Sequence, residues 1–352
     1  MSYGNQPEQN PLGYPQQFYP PPQQKKSGGA GLWIGLAVVG GGLVVVVLAC
    51  CGFIGYLAQP ATASAAAKEP FSYADVPLPA FPERGEADNS QPGVVRHEIS
   101  LGDEGGFYDP PGHGGYMSLL LPEGQHLPKS LPCILHTGAG TTLLHGVEMD
   151  GEGNPPEYMP YVKAGYAVLL YDMDGPSYGD DDMNEAFQAF KASRAGLVNA
   201  RNAIELLIAK APEVNPSQIY ASGHSSAATH ALLLAEHEPR LAGVIAYAPA
   251  VDLPKWFGPR LGVLRLLMPG VTDFVTQSSP STHIARLKCP TLLFQAEDDT
   301  TCDIGETRIF ADQLRAQGTA VTFIAVPTGG HYEAMVNEGL SAGVRWMQEH
   351  AK

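Results

Sequence analysis

Residues 219–228 read Ile-Tyr-Ala-Ser-Gly-His-Ser-Ser-Ala-Ala, and their order decides the fold. An apolar run enters Gly223-His224-Ser225-Ser226-Ala227, and an alanine-rich stretch comes after it. This is the strand–turn–helix pattern of a nucleophile elbow, Gly-x-Ser-x-Gly with Ala227 in the last place. Such a turn passes close to its neighbours, so it needs the small residues Gly223 and Ala227. It presents the Ser225 hydroxyl as a nucleophile. The start of the next helix aims the Ser226 N–H at an oxyanion forming on a substrate. Taken singly, a Gly-Ser turn is an ordinary join between strand and helix, so Ser225 gains weight only from an acid and a histidine placed to serve it.

In this arrangement an acid and then a histidine come after the serine. Cys289-Pro290-Thr291-Leu292-Leu293-Phe294-Gln295 is an apolar strand ending in Ala296-Glu297-Asp298-Asp299-Thr300-Thr301. Glu297, Asp298, Asp299 and Asp303 compete for the role of orienting an imidazole. Distance past the strand favours Asp299. The others read as solvated acids or as a cap on a helix starting near Ile304, and Asp252 is an outside candidate. His331 stands after the last strand, on the flexed loop Thr328-Gly329-Gly330-His331, where it can take the serine proton and return it to a leaving group. Among the 11 histidines, His97 in a strand, His230 and His237 on a helix and His350 near the chain end have structural explanations. The loop His136-Thr137-Gly138-Ala139-Gly140 comes after the third strand, and the N–H of Gly138 or Ala139 is the candidate second oxyanion donor.

Working outward, strands are predicted over 94–100, 116–121, 132–136, 167–171, 218–222, 242–248, 291–295 and 321–326. Leu197, Ala200, Ile204, Leu207 and Ile208 share one helical face, and Leu340, Val344 and Met347 another. Early strands without helices, then strand–helix alternation, give an α/β class: a mostly parallel, eight-stranded sheet with helices on both faces.

The N-terminal part differs in kind. Residues 1–29 are rich in Pro, Gln and Tyr and are expected to be disordered. No charge occurs from Ser27 to Ala67, and the apolar heart 32–57 has 26 residues, against about 20 needed to span a bilayer. It reads as one uncleaved transmembrane helix. Lys25-Lys26 place the N-terminus in the cytoplasm by the positive-inside rule, so the folded domain is expected outside it. Residues 58–93 read as a linker, 94–352 as the folded domain, and 253–288 as a cap insertion.

The net charge is −15. Residues 69–352 hold 18 basic against 35 acidic residues, a balance of −17, which repels phosphate backbones and argues against nucleic acid as a partner. Five cysteines are too few for a disulfide scaffold; Cys133 and Cys289 read as small buried side chains, a bridge between them being conceivable. No metal-ligand spacing occurs, so no cofactor or metal is expected.

With these residues in place, the chain resembles the α/β-hydrolases, and more narrowly the catalytic domain of the prolyl oligopeptidase and dienelactone hydrolase groups. The resemblance is carried by Tyr161 to Asp172, by the Asp172-to-Gly175 loop, by Asn215 to Tyr220 before the elbow, and by Leu241 to Asp252 after it. It implies the α/β-hydrolase fold and a serine hydrolase with Ser225, Asp299 and His331 as a triad. Departures are Ala227-Ala228 where relatives often have Gly-Gly, a serine where dienelactone hydrolases use cysteine, and no room for a β-propeller in 58–93. A small ester or a short peptide is the expected substrate. The alternative is a catalytically inactive binding or scaffold protein on the same fold.

Overall fold

The computed structural model describes residues 69–102, 109–149, 157–177 and 182–350. The expected tail at 1–29 and membrane segment at 32–57 lie outside them. Among the described residues no helix is long and apolar enough to cross a membrane.

Nine strands form one mixed sheet: β1 Ala87–Asp88, β2 Val94–Ser100, β3 Tyr116–Pro122, β4 Leu131–His136, β5 Ala167–Tyr171, β6 Val214–His224, β7 Gly243–Tyr247, β8 Thr291–Ala296 and β9 Val321–Val326. Their order is β1-β2-β3-β5-β4-β6-β7-β8-β9. The pairs from β1 through β3 to β5 are antiparallel and the remaining five are parallel. Side chains alternate between two cores, as the period of two requires. Cys133, Leu135, Ala221 and Leu293 enter one; Ile134, Tyr220, Leu292 and Phe294 enter the other.

Helices cover both faces: α1 Met159–Lys163, α2 Met183–Ala192, α3 Leu197–Lys210, α4 Ser226–His237, the cap helices α5 Leu253–Phe257, α6 Arg260–Leu267, α7 Val271–Gln277 and α8 Pro280–His283, then α9 Ile304–Ala316 and α10 Leu340–His350. The α3 face forms as its pattern predicts, except that Ile208 turns outward and is half exposed.

Two expectations need correction. The sheet has nine strands, not eight, because β1 adds an antiparallel edge through Ala87↔His97 and Asp88↔Arg96. Two residues are too short to show an alternating pattern. The segment 58–93 is also not a free linker throughout. From residue 69 it lies on the domain, with Phe71, Tyr73 and Phe81 packed against the core. The Arg201 guanidinium donates to the carbonyls of Tyr73, Val76 and Pro77 at 2.9, 2.8 and 3.2 Å. Arg84 donates to the two Glu213 carboxylate oxygens from its two terminal guanidinium nitrogens. The conceivable Cys133–Cys289 bridge is absent, both thiols being free.

Candidate active site

The parallel strands all point their carboxyl ends to one edge of the sheet, and the candidate residues collect there. β6 delivers Ser225 in a left-handed backbone conformation, φ 54° and ψ −120°, that side-chain-bearing residues rarely adopt. It is held because Ser225 N–H donates to the Tyr247 carbonyl at 2.9 Å and the Ser225 carbonyl accepts from Thr229 N–H at 3.0 Å. Gly223 is required by space: a Cβ there would stand 2.4 Å from the Ala227 carbonyl carbon. The methyl of Ala227, the departure from the usual glycine, is fully buried and accommodated.

β8 ends in the acidic loop, and the structure separates its four carboxylates. Asp299 turns inward, and its two oxygens lie 3.1 and 2.9 Å from His331 Nδ1. A carboxylate only accepts, so Nδ1 carries the proton and Nε2 is left as an acceptor. Nε2 lies 2.8 Å from Ser225 Oγ, the geometry in which the hydroxyl donates to the ring. Asp299 also accepts from Thr301 N–H, Cys302 N–H and the Gln295 amide at 2.8, 3.1 and 3.0 Å. Burial would raise its pKa, but the bonds from His331, Cys302 and Thr301 outweigh burial and hold it below the usual carboxylate value.

Asp298 clamps the histidine loop instead, accepting from Gly330 N–H at 2.8 Å and Gly329 N–H at 3.3 Å. Glu297 pairs with Arg308 on the surface. Asp303 caps α9 by accepting from Gly305 N–H at 2.8 Å, and Asp252 caps α5 by accepting from Lys255 N–H at 3.1 Å.

The glycine loop after β4 sits over the elbow. Thr141 N–H donates to Ser226 Oγ at 3.2 Å, and Thr137 Oγ1 donates to the Tyr171 carbonyl at 2.9 Å. Ser226 begins α4, where the first N–H groups have no partner within the helix. Its N–H and those of Gly138 and Ala139 are the oxyanion candidates on the two sides. Gly138 is packed against the Val147 side chain, 2.9 Å from where a Cβ would lie.

Sequence reasoning missed His224. The ring is buried, and its Nε2 lies 2.8 Å from the His331 carbonyl, to which it donates. It also packs on the His331 ring with centroids 4.8 Å apart. Burial lowers its pKa, the nearby Glu157 partly opposing this, which suits a neutral ring that fixes the histidine loop by one N–H. Its place next to Ser225 in the motif was the available signal. The other histidines match their structural readings. His230 bonds Tyr171 and the Ala195 carbonyl, and His237 accepts the Phe71 N–H; burial lowers both to about 4. His97 bonds the Gly85 carbonyl, and His350 stacks on Trp346. Among the described residues no group of acids, histidines and cysteines is placed to hold a metal.

The arrangement can move the Ser225 proton to His331 while Asp299 stabilises the resulting imidazolium. That is the requirement for attack on a carbonyl without a metal.

Comparison with known proteins gives the family and the fold. The pattern of the prolyl oligopeptidase family matches residues 157–352. An acetyl xylan esterase from Paenibacillus sp. R4 shares the fold at 18% identity and a TM-score of 0.57, over 78% of this chain and 90% of that one. Oligopeptidase B from Leishmania major does so at 15% identity and a TM-score of 0.53, over 67% of this chain and 34% of that one. Acylaminoacyl peptidase from Pyrococcus horikoshii gives 14% identity and a TM-score of 0.55, over 78% and 42%. The chain therefore spans less than half of these two peptidases but most of the esterase. No curated protein matches the sequence.

Proposed function

Starting from a chain that belongs to the prolyl oligopeptidase family and is a serine hydrolase, we propose that it cleaves a carboxylic ester or peptide bond through an acyl-enzyme on Ser225. The observation that carries this reading is the continuous relay from Ser225 Oγ through His331 to Asp299. Ser225 attacks the carbonyl as its proton passes to His331 Nε2. Asp299 holds the ring and its charge. The N–H of Ser226, with that of Gly138 or Ala139, receives the oxyanion. His331 then protonates the leaving group, and water enters by the same route in reverse to release the acid.

Residues 32–57 anchor the enzyme in a membrane as a single span, with the hydrolase domain outside the cytoplasm. The 26-residue uncharged run and Lys25-Lys26 support this. Protease added to intact spheroplasts should then trim the large domain; trimming of the N-terminal tail alone reverses the orientation.

Chemistry is tested with matched p-nitrophenyl esters and aminoacyl p-nitroanilides. A burst of p-nitrophenol equal to the enzyme concentration, absent in Ser225→Ala, is expected. Turnover without any dependence on Ser225 refutes the acyl-enzyme, and the ratio of ester to anilide kcat/KM assigns the leaving group.

A further inference from the structure

The cap insertion departs in two ways from the rest of this acidic protein. Residues 253–272, between Asp252 and Asp273, hold Lys255, Arg260 and Arg265 and no acidic residue, in a chain of net charge −15. Lys255 pairs with Glu306 and Asp252, which leaves the two arginines of α6 as the basic groups beside its apolar face. Within them α6, Arg-Leu-Gly-Val-Leu-Arg-Leu-Leu, buries Leu261 in the domain but leaves Val263, Leu266 and Leu267 at 51%, 50% and 69% exposure. The three lie at i, i+3 and i+4, on one face. An apolar helix face next to basic side chains is the composition of an element that lies in a bilayer interface, its arginines reaching the headgroups.

Where the chain enters the domain points to the same surface. Glu69, the first described residue, accepts a bond from the Gln277 amide of α7 at 2.9 Å through its carbonyl. Phe71 then meets the Phe274 ring of α7 at 6.2 Å between centroids. Residues 69–71 thus lie on the cap itself. Only the 11 residues 58–68 separate the apolar segment from this point, a reach of at most about 40 Å when fully extended. A cleft of about 320 Å³ beside this attachment is lined by Lys191 and Arg194 as well as Asp273. At its other end the cap touches the candidate active site: the Trp256 indole N–H donates to the Thr301 carbonyl at 3.1 Å, and Thr301 N–H holds Asp299.

We propose that α6 is a membrane-contact helix, resting Val263, Leu266 and Leu267 in the surface of a bilayer that contains anionic lipid. This rests on the reading of residues 32–57 as a membrane span. The tether brings the cap to the bilayer, and Arg260 and Arg265 of α6 select the negatively charged surface that the rest of the domain repels. The mouth of the site then opens beside the lipid headgroups, where an amphiphilic acyl substrate is concentrated.

The test uses the full chain in nanodiscs of phosphatidylcholine and phosphatidylglycerol, with a diazirine-bearing leucine analogue in place of Leu266, Leu43 or Leu127. Leu43 lies in the apolar segment, and Leu127 is 77% exposed far from it in sequence. After irradiation, lipid adducts are expected at 43 and 266, with about tenfold less at 127. In discs of phosphatidylcholine alone the yield at 266 should fall; an unchanged yield overturns the part given to the arginines. A lipid adduct at 43 without one at 266, or a cross-link between copies at 266, overturns the proposal and leaves the span standing. No lipid adduct at either position overturns both.

Discussion

Asp299 at the end of β8 and Glu236 on α4 are both carboxyl groups removed from water, at 9% and 3% exposure, and they reach opposite states. Asp299 accepts from an imidazole, an amide and two backbone N–H groups. These outweigh burial and keep it an anion. Neither oxygen of Glu236 has a hydrogen-bond partner among the described residues. Burial pushes it well above the ordinary carboxyl value despite the opposing charge of Arg286, so the neutral form is the favoured one. The histidines beside them divide in the same way. His331 faces a carboxylate, whereas His230 and His237 face carbonyl, hydroxyl or backbone partners and stay neutral. Burial alone makes an inert acid; a ring of donors makes a fixed negative charge. Of these two regions, the end of β8 can stabilise an imidazolium on His331, whereas the helix behind it holds the same residue types without that pairing.

The largest effect that could break this contrast is at the serine. Ser225→Ala should lower kcat on the order of 10⁶-fold with little change in thermal midpoint, as measured by steady-state kinetics and calorimetry. Asp299→Asn keeps the shape of the side chain and removes its charge. It should cost about 10⁴-fold in kcat, because the ring loses its tautomer and its counter-charge. A loss under about tenfold would mean that the carboxylate is dispensable for the relay.

Asp298→Asn separates positioning from charge. Among the described residues Asp298 accepts from Gly330 N–H on one oxygen and from Gly329 N–H on the other, and the single amide oxygen of Asn keeps the shorter of the two bonds, to Gly330. A fall in kcat of about tenfold or less is expected. A loss matching that of Asp299→Asn would show that the two neighbouring acids were assigned the wrong way round.

The smallest effect, and the one that sharpens the comparison, is in stability against pH. Glu236 binds its proton more tightly folded than unfolded, so its contribution is complete below the ordinary value of 4.5 and is lost as pH rises towards its folded pKa. Asp299 has the opposite sign: its contribution is present above 3.8 and is lost as pH falls through its lowered folded value. Urea midpoints from about pH 3 to 9 should therefore show a weaker alkaline-going decline in Glu236→Gln, with the part due to Asp172 and Asp174 retained, and a weaker acid-side decline in Asp299→Asn. An unchanged alkaline slope in Glu236→Gln refutes the neutral carboxyl.

Much of this is legible in the amino-acid sequence. β2 to β9 lie where alternation or apolar runs place them, although β6 begins at Val214, four residues before the expected 218, through the polar stretch Asn215-Pro216-Ser217 that carries no apolar signal. The order of Ser225, Asp299 and His331 at strand ends comes from spacing, and the structure brings the three together. Features that depend on distant partners leave no such trace. β1 is two residues whose pairing with β2 has no periodic signature. The arm at 69–93 looks like a polar linker, yet it is held by Arg201, more than a hundred positions away. His224 acquires its role from a carbonyl 107 positions later. Distance past the strand favours Asp299 over Asp298, but the bonds that turn one inward and the other onto the histidine loop, to Cys302 and to Gly330, come from the folded loop.

Everything in the proposed chemistry turns on one oxygen atom. Incubation with a fluorophosphonate, then digestion and mass spectrometry, asks directly whether Ser225 Oγ is the nucleophile activated by His331. A single phosphonyl adduct is expected on the peptide containing Ser225, with none in Ser225→Ala and labelling slowed by orders of magnitude in His331→Ala. An adduct that persists in Ser225→Ala, or a wild-type protein that takes up no label, would contradict the assignment of Ser225 as the nucleophile.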